Sequence, residues 1–437
     1  MTGKEPPAGR ITRDRLRSLE EQSAALEPAG DARRTATAQM TAFADNFLER
    51  LPGMDAFEPE QGFSSRLEAP FGESATELPA LLEQLDAAIF HEGINPASGG
   101  HLGYIPGGGV YPAALGDYLA AVCNRYSGVA FASPGAARLE QGLVRWMCEL
   151  VGYPAESGGD LTSGGSVANL SAIITAREAM KVKARDVGRG CIYLTEDVHH
   201  CVDKALRAAG LADSRKRLVP MDERYRMDVA ALEEMIARDK YDGLRPWLLV
   251  ASAGTTDSGA IDPIEALADI ADEHGLWLHV DAAYGGFFLL CDEGRQVLRG
   301  LHRSHSIVLD PHKGLFLPYG SGAVLVRNQH WLAGAHAYQA DYMQDAAAGE
   351  AGYSPADLSL ELTRPFRGLR FWLPLKLFGL APFRAALAEK IWLARYFHEQ
   401  LSAAPGWELG PVPELSVVTY RYLPRHGDAN AFNRRLV

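Results

Sequence analysis

The sequence predicts an α/β protein with a mostly parallel sheet that is covered by helices on both faces. Between residues 111 and 330, short apolar and β-branched segments alternate with longer amphipathic ones. The apolar segments are continuous instead of alternating in polarity, which is typical of strands buried on both faces. The segment Ser306–Leu309 is followed by Asp310 and Pro311, and proline ends such a run. Alternation of strands and helices in this pattern indicates parallel strands joined by helical crossovers.

The central segment supplies most of the predicted elements. The connection between Leu309 and Ala323 is too short for a crossover helix, so we expect the last strand to be antiparallel. The predicted strands are 191–195, 218–221, 247–252, 276–281, 306–309 and 322–327, and the predicted helices are 166–185, 198–210, 229–238 and 263–274.

The two ends of the chain follow different patterns from the α/β domain, 111–370. Residues 1–110 hold amphipathic helices at 13–26, 32–51 and 78–91 without intervening strands. Helices of this kind usually pack on another domain or subunit. Residues 371–437 contain a predicted helix, 381–403, and a strand, 415–422, which indicates a small C-terminal domain. The segment 335–360 lacks periodicity, and a loop of this length is typical of a mobile lid.

Composition excludes several classes of function. The chain of 437 residues has a net charge of −12, is 47% apolar and contains no basic block, so neither nucleic acid nor an anionic membrane is an expected partner. No apolar run is long enough to span a bilayer. Its five cysteines are scattered and form no CxxC pair, which favours reduced thiols in a cytoplasm over disulfides or structural zinc.

Lys313 follows the predicted strand Ser306–Leu309 in the stretch Asp310-Pro-His-Lys-Gly. Open α/β sheets bind their ligands at this end of the strands. A lysine that is partly desolvated there can lose its proton and act as a nucleophile or form a Schiff base. The alternative is a solvated loop lysine, which is the commoner case for a lysine considered alone.

Asp281 ends another apolar strand, and a buried carboxylate requires a cationic partner. A protonated pyridine nitrogen would supply one, and the small residues Ala282 and Ala283 leave room for a flat ring. Capping of the next helix is an equally good explanation for an aspartate at this position.

Gly164, Gly165 and Ser166 precede a helical run, which predicts an anion site, most simply for a phosphate. The stretch matches neither a dinucleotide nor a nucleoside triphosphate motif.

Two further polar residues are predicted at the same edge of the sheet. Thr256 offers a hydroxyl, and His199 is placed to stack on a ring, to act as an acid or base, or to bind metal. No matching ligand spacing accompanies His199, so no metal is expected. A Schiff-base lysine, a pyridinium partner and a phosphate pocket together describe a site for pyridoxal 5′-phosphate.

The motifs HVDAAYGG (279–286), DPHKG (310–314) and SGGSVAN (163–169) give the chain a family resemblance. From about residue 40 onward it resembles the group II pyridoxal-phosphate decarboxylases, which include the aromatic-amino-acid, histidine and glutamate decarboxylases. The resemblance implies fold type I with a seven-stranded sheet, a small C-terminal α+β domain, and a homodimer with a shared active site. It also implies further C-terminal elements beyond Val437.

The resemblance also implies roles for individual residues in decarboxylation of an L-amino acid to the amine and CO₂. Lys313 would carry the cofactor as a Schiff base, and Asp281 would pair with its ring nitrogen. Tyr342 on the loop would reprotonate the α-carbon. The remaining expected cofactor contacts are His199 and Ala283 on the two faces of the ring, and Gly165, Ser166, Thr256 and His312.

The chain departs from the family pattern at two places. Asp310 stands where many members have asparagine. Gly107, Gly108 and Gly109 replace bulkier residues in the predicted substrate pocket, for which Tyr104, Ile105, Pro106 and Gly107 are the candidates. An apolar pocket lined by Tyr104, Ile105 and Tyr126 would mildly favour an aromatic or apolar substrate.

The sequence is also compatible with other activities. One is decarboxylation coupled to oxidative deamination, which yields an aldehyde. The others are an aminotransferase or C–C lyase reaction on the same cofactor, and a regulatory role without turnover. Family members of the oxidative branch commonly replace the loop tyrosine or the stacking histidine. The presence of Tyr342 and His199 therefore favours simple decarboxylation.

Overall fold

The computed structural model describes residues 13–68, 71, 74–337 and 353–436, which form two units divided after Tyr104. The predicted boundary at residue 110 lies close to this division. The predicted third domain, 371–437, belongs to the second unit.

The N-terminal unit contains the three predicted helices and a small antiparallel ribbon. Arg50 binds Asp86 with 2.8 Å between Nη2 and Oδ1, and Phe43 and Phe47 pack on Phe90. These contacts join the second helix to the segment after the third. The elements are α1 (Arg13–Ser23), α2 (Gly30–Arg50), α3 (Leu78–Leu85), β1 (Phe57–Glu58) and β2 (Gly93–Ile94).

The second unit is built on a seven-stranded sheet in the order β3-β9-β8-β7-β6-β4-β5. Its strands are β3 (Gly158–Thr162), β4 (Gly190–Leu194), β5 (Arg215–Leu218), β6 (Arg245–Ser252), β7 (Trp277–Asp281), β8 (Ser306–Leu309) and β9 (Gly322–Val326). All neighbouring pairs from β8 to β5 are parallel, and β9 is antiparallel to both β8 and β3. The predicted mostly parallel sheet and its antiparallel last strand are confirmed.

Helices cover both faces of this sheet. Alternate side chains of a strand point to opposite faces, and both faces are apolar here. In β4, Cys191 and Tyr193 join one apolar cluster, whereas Ile192 and Leu194 join another. The helices are α4 (Tyr111–Cys123), α5 (Pro134–Val151), α6 (Gly165–Ala179), α7 (Cys201–Ala208), α8 (Val229–Tyr241), α9 (Ile264–His274), α10 (Asp292–Val297), α11 (Pro311–Gly314), α12 (Gln329–His336), α13 (Gly368–Phe378), α14 (Ala381–Ala403) and α15 (Ala429–Asn433). A C-terminal ribbon pairs β10 (Trp407–Leu409) with β11 (Tyr420–Tyr422).

Two strands differ from the sequence prediction. β3 was not predicted, because glycine is depleted in strands. Here Gly159 lies against the Val324 carbonyl of β9, and a side chain at this position would collide with it. The strand predicted at 218–221 runs instead over Arg215–Leu218. This strand lies at the sheet edge and is largely exposed, so its sequence is polar and gives no apolar signal. It does not continue to residue 221, because Pro220 lacks the N–H group needed for further pairing.

No single helix in the described ranges combines the length and apolarity needed to cross a membrane. Helices α13 and α14 meet that criterion only when taken together, and they are bent by 94° relative to each other.

Candidate active site

A cavity of about 240 Å³ opens at the carboxyl edge of β6, β7 and β8. The register of the parallel strands explains why the predicted residues meet there, since Ser252 pairs with Asp281 and Asp281 with Val308. All eight residues predicted to contact the cofactor line this cavity: Gly165, Ser166, His199, Thr256, Asp281, Ala283, His312 and Lys313.

Lys313 lies on α11, one short turn after β8, and its side chain is 21% exposed. Its Nζ is 3.3 Å from Asp310 Oδ2, and His312 Nε2 is 3.7 Å from the same oxygen. Burial raises the pKa of Asp310, although the charge of Lys313 opposes this shift. Asp310 Oδ1 is buried and has no hydrogen-bond partner among the described residues. The lysine therefore has a nearby proton acceptor whose second oxygen is unused.

The start of α6 forms the side of the cavity next to Asp310. Gly164 has a φ of +154°, which favours glycine. A Cβ on Gly165 would lie 2.8 Å from Asp310 Oδ2 and 3.3 Å from the Ala283 Cβ, so this position has no room for a side chain. The bare backbone leaves the N–H groups and the positive end of a 15-residue helix open to an anion.

Asp281 ends β7 and is 8% exposed. Its Oδ2 accepts a hydrogen bond from Asn169 Nδ2 at 3.1 Å, and its Oδ1 accepts one from the Ala283 N–H at 3.1 Å. Within the described ranges, no lysine, arginine or histidine forms an ion pair with it. The carboxylate is thus oriented by neutral donors, and its charge remains available to a cationic group of a ligand.

His199 lies between β4 and α7 and is half-buried. Its Nδ1 accepts a hydrogen bond from the Cys201 N–H at 3.3 Å. Burial lowers the pKa of His199, although the charge of Asp281 opposes the shift. Both observations indicate a neutral ring with its proton on Nε2, which is suited to lie against a flat, electron-poor ligand.

Asn169 and His279 were not predicted as site residues. Asn169 lies one helical turn after Gly165, and His279 shares with Asp281 the face of β7 that meets α6. His279 Nε2 is 2.8 Å from Asn169 Oδ1, and its Nδ1 is 2.8 Å from Ser306 Oγ. The alternation of Trp277, His279 and Asp281 along the strand indicates that their side chains share one face of β7. Only the packing of α6 on that face identifies Asn169 as the partner of His279 and Asp281.

Burial lowers the pKa of His279 to about 4. The unfolded chain binds a proton at this ring near pH 6.5, whereas the native state binds it only at lower pH, so stability must fall as the pH decreases between these values. Between pH 7 and pH 5 the wild type should lose about 2 kcal/mol more unfolding free energy than His279→Gln. Urea unfolding of both proteins at the two pH values measures this difference. Equal pH dependence of the two proteins would contradict a neutral, buried His279.

The remaining predicted residues lie elsewhere. Tyr342 lies outside the described residues, as does much of the predicted loop 335–360. Tyr104 belongs to the N-terminal unit, is 66% exposed and stacks on His101. Ile105 packs against the core of the second unit, and the described residues that line the cavity include neither Ile105 nor Pro106 nor Gly107. Their role in a substrate pocket stays a prediction.

The polar groups that line the cavity suit pyridoxal 5′-phosphate. It combines an amine at Lys313, an anion site at the start of α6, and a carboxylate at Asp281 that lacks a cationic partner among the described residues. The Asp310 carboxyl, one oxygen of which has no partner among the described residues, adds a further polar group to the cavity lining.

Comparison with known proteins agrees with this chemistry. Residues 64–423 match the pyridoxal-dependent decarboxylase conserved domain. The chain is 33% identical to an aromatic-L-amino-acid decarboxylase of Bacillus atrophaeus over 378 residues, which is 85% of this chain and 78% of that protein. It is 28% identical to a phenylacetaldehyde synthase of Arabidopsis thaliana over 406 residues, or 89% of this chain and 81% of that one.

A solved structure shows the same likeness in three dimensions. The structure of Oryza sativa TDC with PLP and tryptamine superimposes with a TM-score of 0.87 at 25% identity, covering 94% of this chain and 89% of that chain. The chain therefore belongs to the pyridoxal-dependent decarboxylase family, and its cofactor is pyridoxal 5′-phosphate.

Proposed function

We propose that this protein decarboxylates an L-amino acid with an aromatic or apolar side chain to the amine and CO₂. The observation that carries the proposal is the meeting of Lys313, Asp281 and the start of α6 in one cavity. The 33% identity to an aromatic-L-amino-acid decarboxylase favours this class of substrate.

Pyridoxal phosphate, when bound, supplies an aldehyde that captures amines and a protonated ring that accepts the electron pair released as CO₂ departs. In the proposal, Lys313 holds the aldehyde, and Gly165, Ser166, Thr256 and His312 hold the phosphate end of the cofactor. Asp281 keeps the proton on the ring nitrogen, and His199 and Ala283 enclose the ring. The distribution of these residues around the cavity supports these assignments.

The protein's own groups handle the protons. Asp310 Oδ2, at 3.3 Å from Lys313 Nζ, accepts the proton that Lys313 must lose before it reacts as an amine. After CO₂ leaves, Tyr342 donates its phenolic proton to the α-carbon of the substrate. Lys313 then displaces the amine product. Residues 335–360, as a lid, would exclude water while this happens.

A second candidate is decarboxylation coupled to oxidative deamination, and the 28% identity to a phenylacetaldehyde synthase favours it. That reaction consumes O₂ and water and yields aldehyde, CO₂, ammonia and hydrogen peroxide. The two candidates differ in what happens at the α-carbon: protonation gives the amine, and attack by oxygen gives the aldehyde.

Incubation with a panel of L-amino acids separates the two candidates. We expect one mole of amine per mole of CO₂, no peroxide, and the highest rate with an aromatic or apolar substrate. Tyr342→Phe should lower the yield of amine by about tenfold or more and release aldehyde and peroxide instead. Equal amounts of peroxide and CO₂ from the wild type would establish the oxidative reaction, and failure to release CO₂ from every amino acid would refute both.

Gly165→Ala should weaken binding of pyridoxal phosphate by about tenfold or more. The added methyl group would press on Asp310 Oδ2 and Ala283, both of which are buried and have little room to move. Titration of the apoprotein with the cofactor, followed by absorbance, gives the dissociation constant. Gly142→Ala is the matched control, since a Cβ on that helical glycine meets nothing within 4 Å. Unchanged affinity of Gly165→Ala would argue against a phosphate at this site.

We further propose a cytoplasmic homodimer with a shared active site. The exposed apolar side chains of the N-terminal unit support an interface with a second copy of this chain, since solvent-exposed apolar surface marks binding sites. They include Leu16 at 56%, Leu19 at 43% and Leu48 at 42% exposure. Five cysteines without a disulfide among them suit a reducing compartment.

A further inference from the structure

A chain of buried polar side chains leads from β8 to the Asp281 carboxylate. Trp277 Nε1 donates to Ser306 Oγ at 2.8 Å, and Ser306 Oγ is 2.8 Å from His279 Nδ1. His279 Nε2 is 2.8 Å from Asn169 Oδ1, and Asn169 Nδ2 donates to Asp281 Oδ2 at 3.1 Å. Asn169, His279 and Ser306 are fully buried. None of these three residues has a role in the reaction described above.

The position of every proton in this series of hydrogen bonds follows from the groups at its two ends. The Asp281 carboxylate and the Gly165 carbonyl can only accept, so Asn169 must direct its NH₂ group to both, at 3.1 and 2.9 Å. Asn169 Oδ1 therefore faces His279 and requires a proton on Nε2. His279 Nδ1 is then the acceptor for Ser306 Oγ–H, and Ser306 Oγ in turn accepts from Trp277. Asn169 Nδ2 also lies 3.5 Å from Cys201 Sγ, a weak acceptor. Every N–H and O–H group of the network then faces an acceptor, and no member needs a charge.

Because the groups that donate to Asp281 are uncharged, they leave its negative charge in place. A cationic neighbour would satisfy the carboxylate and compete with a protonated ring nitrogen, whereas an amide donor orients the carboxylate without cancelling its charge. Burial keeps His279 uncharged by lowering its pKa to about 4, although Asp281 favours the charged form. The Ala283 N–H, at 3.1 Å, is equally neutral.

We propose that Asn169 and His279 are positioning residues that hold Asp281 by neutral hydrogen bonds in the orientation required by the ring nitrogen of the cofactor. The inference rests on the proposed role of Asp281 and extends it. Asn169 and His279 thereby determine the preference of the site for a ring that carries a protonated nitrogen. Removing Asn169 should therefore weaken binding of the natural ring selectively, whereas a residue needed only for packing would affect any ring of the same shape.

The test compares pyridoxal phosphate with an analogue in which C–H replaces the ring nitrogen. Both carry the same aldehyde and phosphate, so the ratio of their dissociation constants isolates the interaction at the nitrogen. We expect the wild type to prefer pyridoxal phosphate by about tenfold or more and Asn169→Leu to reduce the preference below about threefold. Asn169→Ser, which keeps a small polar side chain too short to reach both partners, guards against misfolding of the leucine variant. Thermal unfolding identifies folded proteins.

Ser171→Ala is the matched control. Ser171 is buried on the same helix and hydrogen-bonds His336, away from Asp281. It should keep the wild-type preference. At position 279, His279→Gln retains a donor for Asn169 and should keep most of the preference, whereas His279→Leu should lose it.

The outcomes are distinguishable. If the folded Asn169 variants weaken both ligands by the same factor, the positioning role is refuted while the role of Asp281 stands. If the wild type shows no preference, the role of Asp281 is refuted as well, and with it this inference. Loss of preference in Ser171→Ala would show that the ratio reports packing of α6, which also overturns the inference.

Discussion

Replacement of Lys313 by alanine is expected to reduce turnover by about a thousandfold or more, because the variant lacks the amine that is proposed to hold the cofactor and release the product. Lys313 is placed by α11 at the end of β8, with Asp310 Oδ2 at 3.3 Å from its Nζ. Steady-state rates of CO₂ release measure the effect. Mass spectrometry after borohydride reduction should find the cofactor covalently attached to the wild type and not to the variant.

Lys390→Ala is the control for this experiment. Lys390 lies on α14, is paired with Glu389 and has a side chain that is 45% exposed, so its loss should leave the rate unchanged. A Lys313→Ala protein with more than a few per cent of wild-type activity would show that another group carries the cofactor, and the proposed function would then be wrong.

Asp281→Asn is expected to lower kcat by about a hundredfold or more, with a smaller change in KM. Asparagine keeps the size of the side chain but removes the negative charge that is proposed to hold a proton on the ring nitrogen. The structure gives Asp281 two neutral donors, Asn169 Nδ2 and the Ala283 N–H, and no ion-pair partner within its described part. No nearby cation in the described ranges neutralises the charge of Asp281, so its loss should act directly on the ring nitrogen.

Measurement of kcat and KM for the preferred substrate checks this prediction, with Asp269→Asn as control. Asp269 is 73% exposed and pairs with Arg303 on the surface, so its substitution should change neither constant. A kcat of Asp281→Asn within threefold of the wild type would indicate that Asp281 serves only to order the backbone after β7.

Sequence alone located the residues to which the proposed function assigns the chemistry. Lys313, Asp281 and Gly165 lie next to continuous apolar strands or at the start of a helix, and these patterns are set by residues close together in the chain. Since parallel strands end at the same edge of a sheet, local patterns were enough to place the three residues in one cavity. The same patterns predicted the antiparallel β9 from the length of its connection.

Strands whose identity depends on distant neighbours were harder to predict. β3 contains two glycines that weaken any local signal, and it is a strand because β9 pairs with it and leaves no space for a side chain at Gly159. Similarly, β5 is an exposed edge strand with a polar sequence, so the pairing of Cys191 with Arg215 defines it. In both cases long-range hydrogen bonding overrides local preference.

The sequence by itself therefore determined five of the seven strands, the cofactor, and the lysine, carboxylate and glycine that line the cavity proposed for it. Only the tertiary structure revealed that Asn169 of α6 meets His279 and Asp281 of β7, and that Asp310 lies beside both Lys313 and Gly165. The physical reason is that local patterns fix which elements form and where they end. The hydrogen-bond partners of a buried polar group depend instead on how elements distant in the chain pack together.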